Sequence, residues 1–101
     1  MQPSATPDAA AEKMTGLARA HLARKLGISV DAIFAAEVSA VLWPDAGLGC
    51  PLPGVSYAAV VTPGFSILLE SQGRVFVYHT DMDSRVVLCS TSAPTEIYLP
   101  P

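Results

Sequence analysis

The stretch Phe65-Ser66-Ile67-Leu68-Leu69-Glu70-Ser71-Gln72-Gly73-Arg74-Val75-Phe76-Val77-Tyr78-His79-Thr80 decides the fold. Two runs rich in aromatic and branched side chains flank Gln72-Gly73, the spacing of a hairpin closed by a two-residue turn. Glycine in second place suits a type I′ turn. That turn sets the register: Leu69 opposite Phe76, Leu68 opposite Val77 and Ile67 opposite Tyr78. Both faces of the pair are then partly apolar. One must cover a helix, and the other needs the long loop, the tail or a second chain over it.

The helix comes from Ala9 to Leu26, a run without proline. Thr6 or Asp8 can cap it, Pro7 suits the first turn, and Glu12 adds negative charge near the positive end. Met14, Leu17, Ala18, Leu22 and Leu26 recur at helical spacing and predict one face to bury. Gly27 is placed to end the helix in a left-handed conformation, with Ile28 as the apolar contact that accompanies such an ending. His21 lies near the stripe and reads as a partly buried structural histidine. Ser29 to Ile33 reads as a serine-capped single turn that reverses the chain.

Phe34 to Trp43 alternates in polarity as a strand does, and Pro44 stops it. Tyr57-Ala58-Ala59-Val60-Val61 reads as a second strand, Thr62-Pro63-Gly64-Phe65 as a type II turn, and Arg85 to Cys89 as the last strong strand. The predicted fold is α+β: one N-terminal amphipathic helix packed on a curled, mainly antiparallel sheet of four to five strands. The whole chain, 1–101, is expected to form one domain, with 1–6 as a flexible N-terminal tail and 91–101 as a Pro-rich C-terminal tail. Within that tail Ile97-Tyr98-Leu99 could dock along a sheet edge.

Half of the 101 residues are apolar, enough for a core in one domain of this size. The formal charge of -3, with only six Lys and Arg, offers no footprint for nucleic acid or an anionic membrane. No apolar run reaches the roughly 18 to 20 residues of a membrane span. No cofactor motif is present either, so none is expected.

Between the first two predicted strands lies Trp43-Pro44-Asp45-Ala46-Gly47-Leu48-Gly49-Cys50-Pro51-Leu52-Pro53-Gly54, with three prolines and three glycines in this stretch. Neither helix nor regular strand suits it. Trp43 and Cys50 are residue types that bury or bond, and they are expected to pin the loop to the body. A loop of this length held in order points to a binding role. The expected binding residues are Trp43, Pro44, Asp45, Leu48, Pro51, Pro53 and Tyr57.

Cys50 and Cys89 are the only cysteines. They can form a disulfide that ties the loop to the last strand, or remain buried thiols, according to compartment. A further possibility joins Cys50, His79 and Cys89 in a metal-binding or redox site, with Asp81 or Asp83 as a fourth ligand, although no C-x-x-C or H-x-x-x-H unit supports it. Asp81-Met82-Asp83-Ser84 lacks the mid-loop glycine and distant glutamate of a calcium loop and reads as a solvated turn. No nucleophile elbow places Ser, His and Asp together, so no catalytic residue is assigned and an enzyme is not expected.

Trp43-Pro44-Asp45, Leu48-Gly49-Cys50-Pro51, Pro53-Gly54, Tyr57, Thr62-Pro63-Gly64, Tyr78-His79-Thr80-Asp81 and Val87-Leu88-Cys89 together resemble a family of small bacterial domains of unknown function. The resemblance runs from about Ala18 to Cys89. It includes an A-R-x-x-L-A-x-x-L-G helix ending, filled here by Ala18, Arg19, Leu22, Ala23, Leu26 and Gly27. Members of that family resemble exported or lipid-anchored proteins. The resemblance thus implies an extracytoplasmic setting, periplasm or cell surface, with a signal sequence removed, and it favours the Cys50–Cys89 disulfide. It implies no activity. Ala58-Ala59 depart from the polar residues expected after the tyrosine. The function expected is a non-enzymatic binding or accessory module that presents 43–54 to another protein or cell-envelope component, in the manner of a small peptidase inhibitor. The alternative is the metal or redox protein.

Overall fold

The computed structural model of the chain describes residues 6–92. Helix α1 (Thr6–Leu26) buries Met14, Ala18, Leu22 and Ala23, and Leu26 packs partly against the same core. Leu17 stands off this stripe and is exposed, unlike the stripe residues on either side of it. At Gly27 the chain turns left-handed with φ +71, and the N–H groups of Gly27 and Ile28 both donate to the Ala23 carbonyl at 2.8 and 3.1 Å. Ile28 packs against the core, which completes the helix ending expected from the sequence. Ser29 then caps a single 3-10 turn, Val30–Ala32, by accepting from Asp31 N–H at 3.1 Å.

Four strands follow: β1 (Phe34–Trp43), β2 (Thr62–Ser71), β3 (Arg74–Asp81) and β4 (Val86–Ser92). They form an open antiparallel sheet in the order β1-β2-β3-β4. Leu69 faces Phe76, Leu68 faces Val77 and Ile67 faces Tyr78, the register set by the two-residue turn. Gln72 and Gly73 both have positive φ, 55 and 74, as a type I′ turn requires. One helix on an antiparallel sheet is an α+β fold, as predicted.

Alternate residues of the central strands point at the helix. Phe65, Ile67 and Leu69 of β2 and Phe76 and Tyr78 of β3 meet Met14, Ala18 and Leu22, with Ile33 closing one end and Val86 and Leu88 of β4 flanking. Each large side chain removed from water here contributes roughly 1.5–3 kcal/mol. Two polar contacts are built into this layer. The Tyr78 hydroxyl, fully buried, lies 2.7 Å from His21 Nδ1, and Ser71 Oγ donates to the Ala32 carbonyl at 2.8 Å. Burial, opposed by the Arg24 charge, raises the Tyr78 pKa to about 12, so the phenol keeps its proton and donates to His21. Burial first, and then the charges of Arg24 and Lys25, lower the His21 pKa and keep the ring a neutral acceptor.

Two expectations fail between β1 and β3. Residues 55–61 form no strand, and Thr62-Pro63-Gly64-Phe65 is no turn; all four belong to β2. Pro63 is tolerated because β3 begins its pairing with β2 at Gly64, so at Pro63 only β1 is alongside. Gly64 is required for a reason of close approach. A Cβ there would overlap the Thr80 carbonyl and come within 2.8 Å of the Trp43 indole nitrogen.

Candidate binding loop

The loop between β1 and β2 covers the sheet face turned away from α1. Trp43 ends β1 on that face and is 8% exposed. Its indole N–H donates to the Thr80 carbonyl at 2.8 Å across the gap left by Gly64. The indole stacks on the His79 ring, with centroids 4.3 Å apart and planes 25° from parallel. Gly49, at φ +69, lies against the six-membered ring so closely that a Cβ would stand 2.8 Å from it. The indole is therefore enclosed by the sheet below and by its own loop above.

The next residues fold into consecutive turns. Asp45 Oδ1 accepts from Gly47 N–H at 2.8 Å, and the Leu48 and Cys50 N–H groups donate to the Asp45 and Gly47 carbonyls. Leu48 adopts positive φ, 59, which is unusual for a residue with a branched side chain, yet it is fully buried. Its carbonyl lies 2.8 Å from His79 Nδ1. A carbonyl has only lone pairs to offer, so Nδ1 carries the proton and donates. Cys50 is bonded to Cys89, with Cα atoms 5.9 Å apart. Cys89 occupies the irregularity in β4 where the pairing with β3 shifts between Val77 and Tyr78. Arg85 donates to the Ala46 carbonyl at 2.7 Å, and Ala46 N–H donates to Ala58 at 3.0 Å.

Beyond Cys50 the chain stands out. Pro51, Pro53 and Pro44 are exposed, Leu52 is 60% exposed and Val55 49%. This arm is folded back twice: Val55 N–H donates to the Leu52 carbonyl at 3.2 Å, and the Tyr57 hydroxyl accepts from Leu52 N–H at 3.1 Å while the Tyr57 ring lies against Gly47. The seven expected binding residues therefore divide. Trp43 and Leu48 are buried anchors with no surface to offer, Asp45 and Tyr57 shape the turns, and Pro44, Pro51 and Pro53 are at the surface. Leu52, inside the expected stretch 43–54, and Val55, just beyond it, are not among the expected binding residues, since nothing in an isolated apolar residue beside proline or glycine signals exposure.

The metal site joining Cys50, His79 and Cys89 is not formed. The two sulfurs are bonded to each other, and His79 Nδ1 is held by Leu48. Among the described residues no group of three or more His, Cys, Asp or Glu is arranged for a metal. Asp81 closes its turn instead, with one carboxylate oxygen accepting from the N–H groups of Asp83, Ser84 and Arg85, each at 2.9 Å. Partial burial pushes its pKa up, but these donors and the Arg85 charge outweigh that and hold it below the usual value. Both histidines of the chain are thus committed at Nδ1 to structural partners. Among the described residues, no helix is long and apolar enough to cross a membrane.

Neither the curated proteins nor the solved structures compared with this chain contain a match. A family model does match, over residues 15–89, from the third turn of α1 through the disulfide in β4, and its description is a domain of unknown function. That span holds the helix ending, the anchored loop and both cysteines, so the chain belongs to the DUF8738 family.

Proposed function

We propose that this protein is a non-enzymatic binding module of an oxidising, extracytoplasmic compartment, and that its contact surface is the exposed arm from Pro51 to Val55. The observation that carries this reading is the division of the loop. Its first half is fastened by the buried indole, by Leu48 and by the disulfide, while its second half displays Leu52, between the exposed Pro51 and Pro53, and Val55 just after them. Anchoring lowers the ordering cost of association, and apolar side chains held in water favour a partner that covers them. The disulfide supports the compartment, because reducing cytosol disfavours such bonds. The engagement of both histidine rings in structural hydrogen bonds supports a role without catalysis.

A photo-crosslinking residue placed at position 52, with the exposed hairpin tip Gln72 as control position, tests the reading in cells. The expected result is an adduct of one discrete mass from position 52 and none from 72. The same pattern from both positions, or none from 52, refutes it. A narrower form of the proposal is a peptidase inhibitor that offers Pro51–Val55 to an enzyme cleft, supported by prolines on both sides of Leu52, which resist an extended chain's accommodation as substrate. A panel of peptidases assayed with micromolar protein distinguishes it: inhibition of one class is expected, and no inhibition removes this form while leaving other protein partners.

A further inference from the structure

β1 is one edge of the sheet, and among the described residues nothing pairs with its outer side. Edge strands of soluble proteins are blunted by shortness, proline, charge or a bulge. β1 runs for ten residues without proline, its one charged residue is Glu37, and its irregularity lies near its start, between Ala35 and Glu37. Phe34 is 65% exposed, Val38 38% and Leu42 67%. The opposite edge is different in kind, since β4 ends in the polar residues Ser90, Thr91 and Ser92 and is tied by the disulfide.

The helix does not close over β1. A cleft of about 320 Å³ separates them, lined by Ala11, Glu12, Thr15, Gly16, Arg19 and Val38. Glu12 and Arg19 are seven residues apart, two turns or about 10 Å along α1, with Thr15 and Gly16 midway between them, and all four line the cleft with Val38, its one residue from β1. Arg19 is incompletely satisfied: one terminal nitrogen donates to the Val30 carbonyl at 2.8 Å, but its Nε is buried and has no hydrogen-bond partner among the described residues.

We infer that β1 is the seat of a two-fold dimer, in which the β1 strands of two copies pair antiparallel and join the sheets into one of eight strands. Charge is what selects a second copy over an unrelated strand. With the dyad at Val38, the two helices lie antiparallel on one side of the joined sheet. Glu12 of each copy then faces Arg19 of the other across the paired clefts, and the midpoint of that charge pair coincides with the dyad. In the strands the same placement sets Val38 against Val38 of the second copy and Glu37 opposite Ser39, so like charges do not meet. A pair of this kind is isologous and closes, which leaves no further β1 edge to recruit more chains. It also sends the two Pro51–Val55 arms to opposite ends of the assembly.

Sedimentation of the full oxidised chain across the micromolar range tests the inference. The expected species has twice the 10.5 kDa chain mass. Val38→Lys, a charge placed on the edge, is expected to give a monomer with unchanged helical circular dichroism. Glu12→Arg and Arg19→Glu, separately, are each expected to weaken association by about threefold to tenfold, and the two together to restore it. A wild-type monomer at every concentration overturns the inference. So does a dimer that survives Val38→Lys, or a double charge swap no better than the single ones. A chain ending at residue 92 that dimerises when the full chain does not would overturn it as well, because the edge would then belong to the C-terminal segment.

Discussion

Replacing both cysteines, Cys50→Ser with Cys89→Ser, removes one covalent bond and leaves every other anchor of the loop in place. The bond closes a loop with a sequence separation of 39. In the chain-entropy account a loop of that length costs the unfolded chain about 13 cal/mol/K, so the bond contributes ~4 kcal/mol at room temperature. For a domain whose whole stability is of order 5–15 kcal/mol, that is a large share. Equilibrium urea unfolding measures it, and at a mid-range m of ~2 kcal/mol/M the midpoint falls by about 2 M. The slope m itself is expected to rise, because the unlinked unfolded chain exposes more surface. The single tryptophan gives a second readout at the loop. Its emission should remain that of a buried indole in the folded double variant, since the Thr80 hydrogen bond, the His79 stack and Gly49 all persist. A loss below ~1 kcal/mol refutes the reasoning by showing that the bond does not restrict the unfolded chain as the entropy model requires. A red-shifted indole in the folded variant refutes the claim that the remaining contacts hold the loop.

Gly64→Ala forces the indole off the Thr80 carbonyl, and overpacking of this kind costs about 1–3 kcal/mol, to be read as a lower urea midpoint with red-shifted tryptophan emission. His21 has a lowered folded pKa, so below its ordinary value of 6.5 the unfolded chain takes up the proton more readily than the folded one. Stability from this group is therefore full above that pH and is lost as pH falls through the lowered folded value; a pH series of melting temperatures should show the loss, and His21→Phe should remove that component. Gln72 holds φ 55 in the hairpin turn, a conformation asparagine accepts more readily, so Gln72→Asn is expected to stabilise by about 0.5 kcal/mol in the same urea assay.

The helix, β1 and the β2–β3 register were legible because each is fixed by a local signal: a proline-free apolar stripe, alternation ended by Pro44, and a two-residue turn ending in glycine. The start of β2 was not legible. Ala58 to Val61 has the composition of a strand, and Pro63-Gly64 has that of a turn, yet both features answer to neighbours that are distant in sequence. Pro63 lies where β3 has not yet begun to pair with β2, and Gly64 lies under an indole from β1. Leu17, read as part of the helix stripe, is exposed because the stripe that meets the sheet runs through Met14, Ala18 and Leu22. The loop's anchors were readable from residue type, since Trp43 and Cys50 seldom stay in water unbonded. Which of its residues face outward was not, because that depends on a turn closed by Asp45 and on Tyr57 folding the arm back.

The loop leaves β1 and returns to β2, but its covalent bond reaches β4, across the full width of the sheet. A pull on the Pro51–Val55 arm therefore enters β2 directly on its C-terminal side, and on the other side is shared at Cys50 between β1 and β4, instead of falling on the β1–β2 ladder one rung at a time. The intervening ladders are loaded together, in the manner of a strap buckled over a stack, and a tethered partner tugging on the arm meets the resistance of the whole sheet.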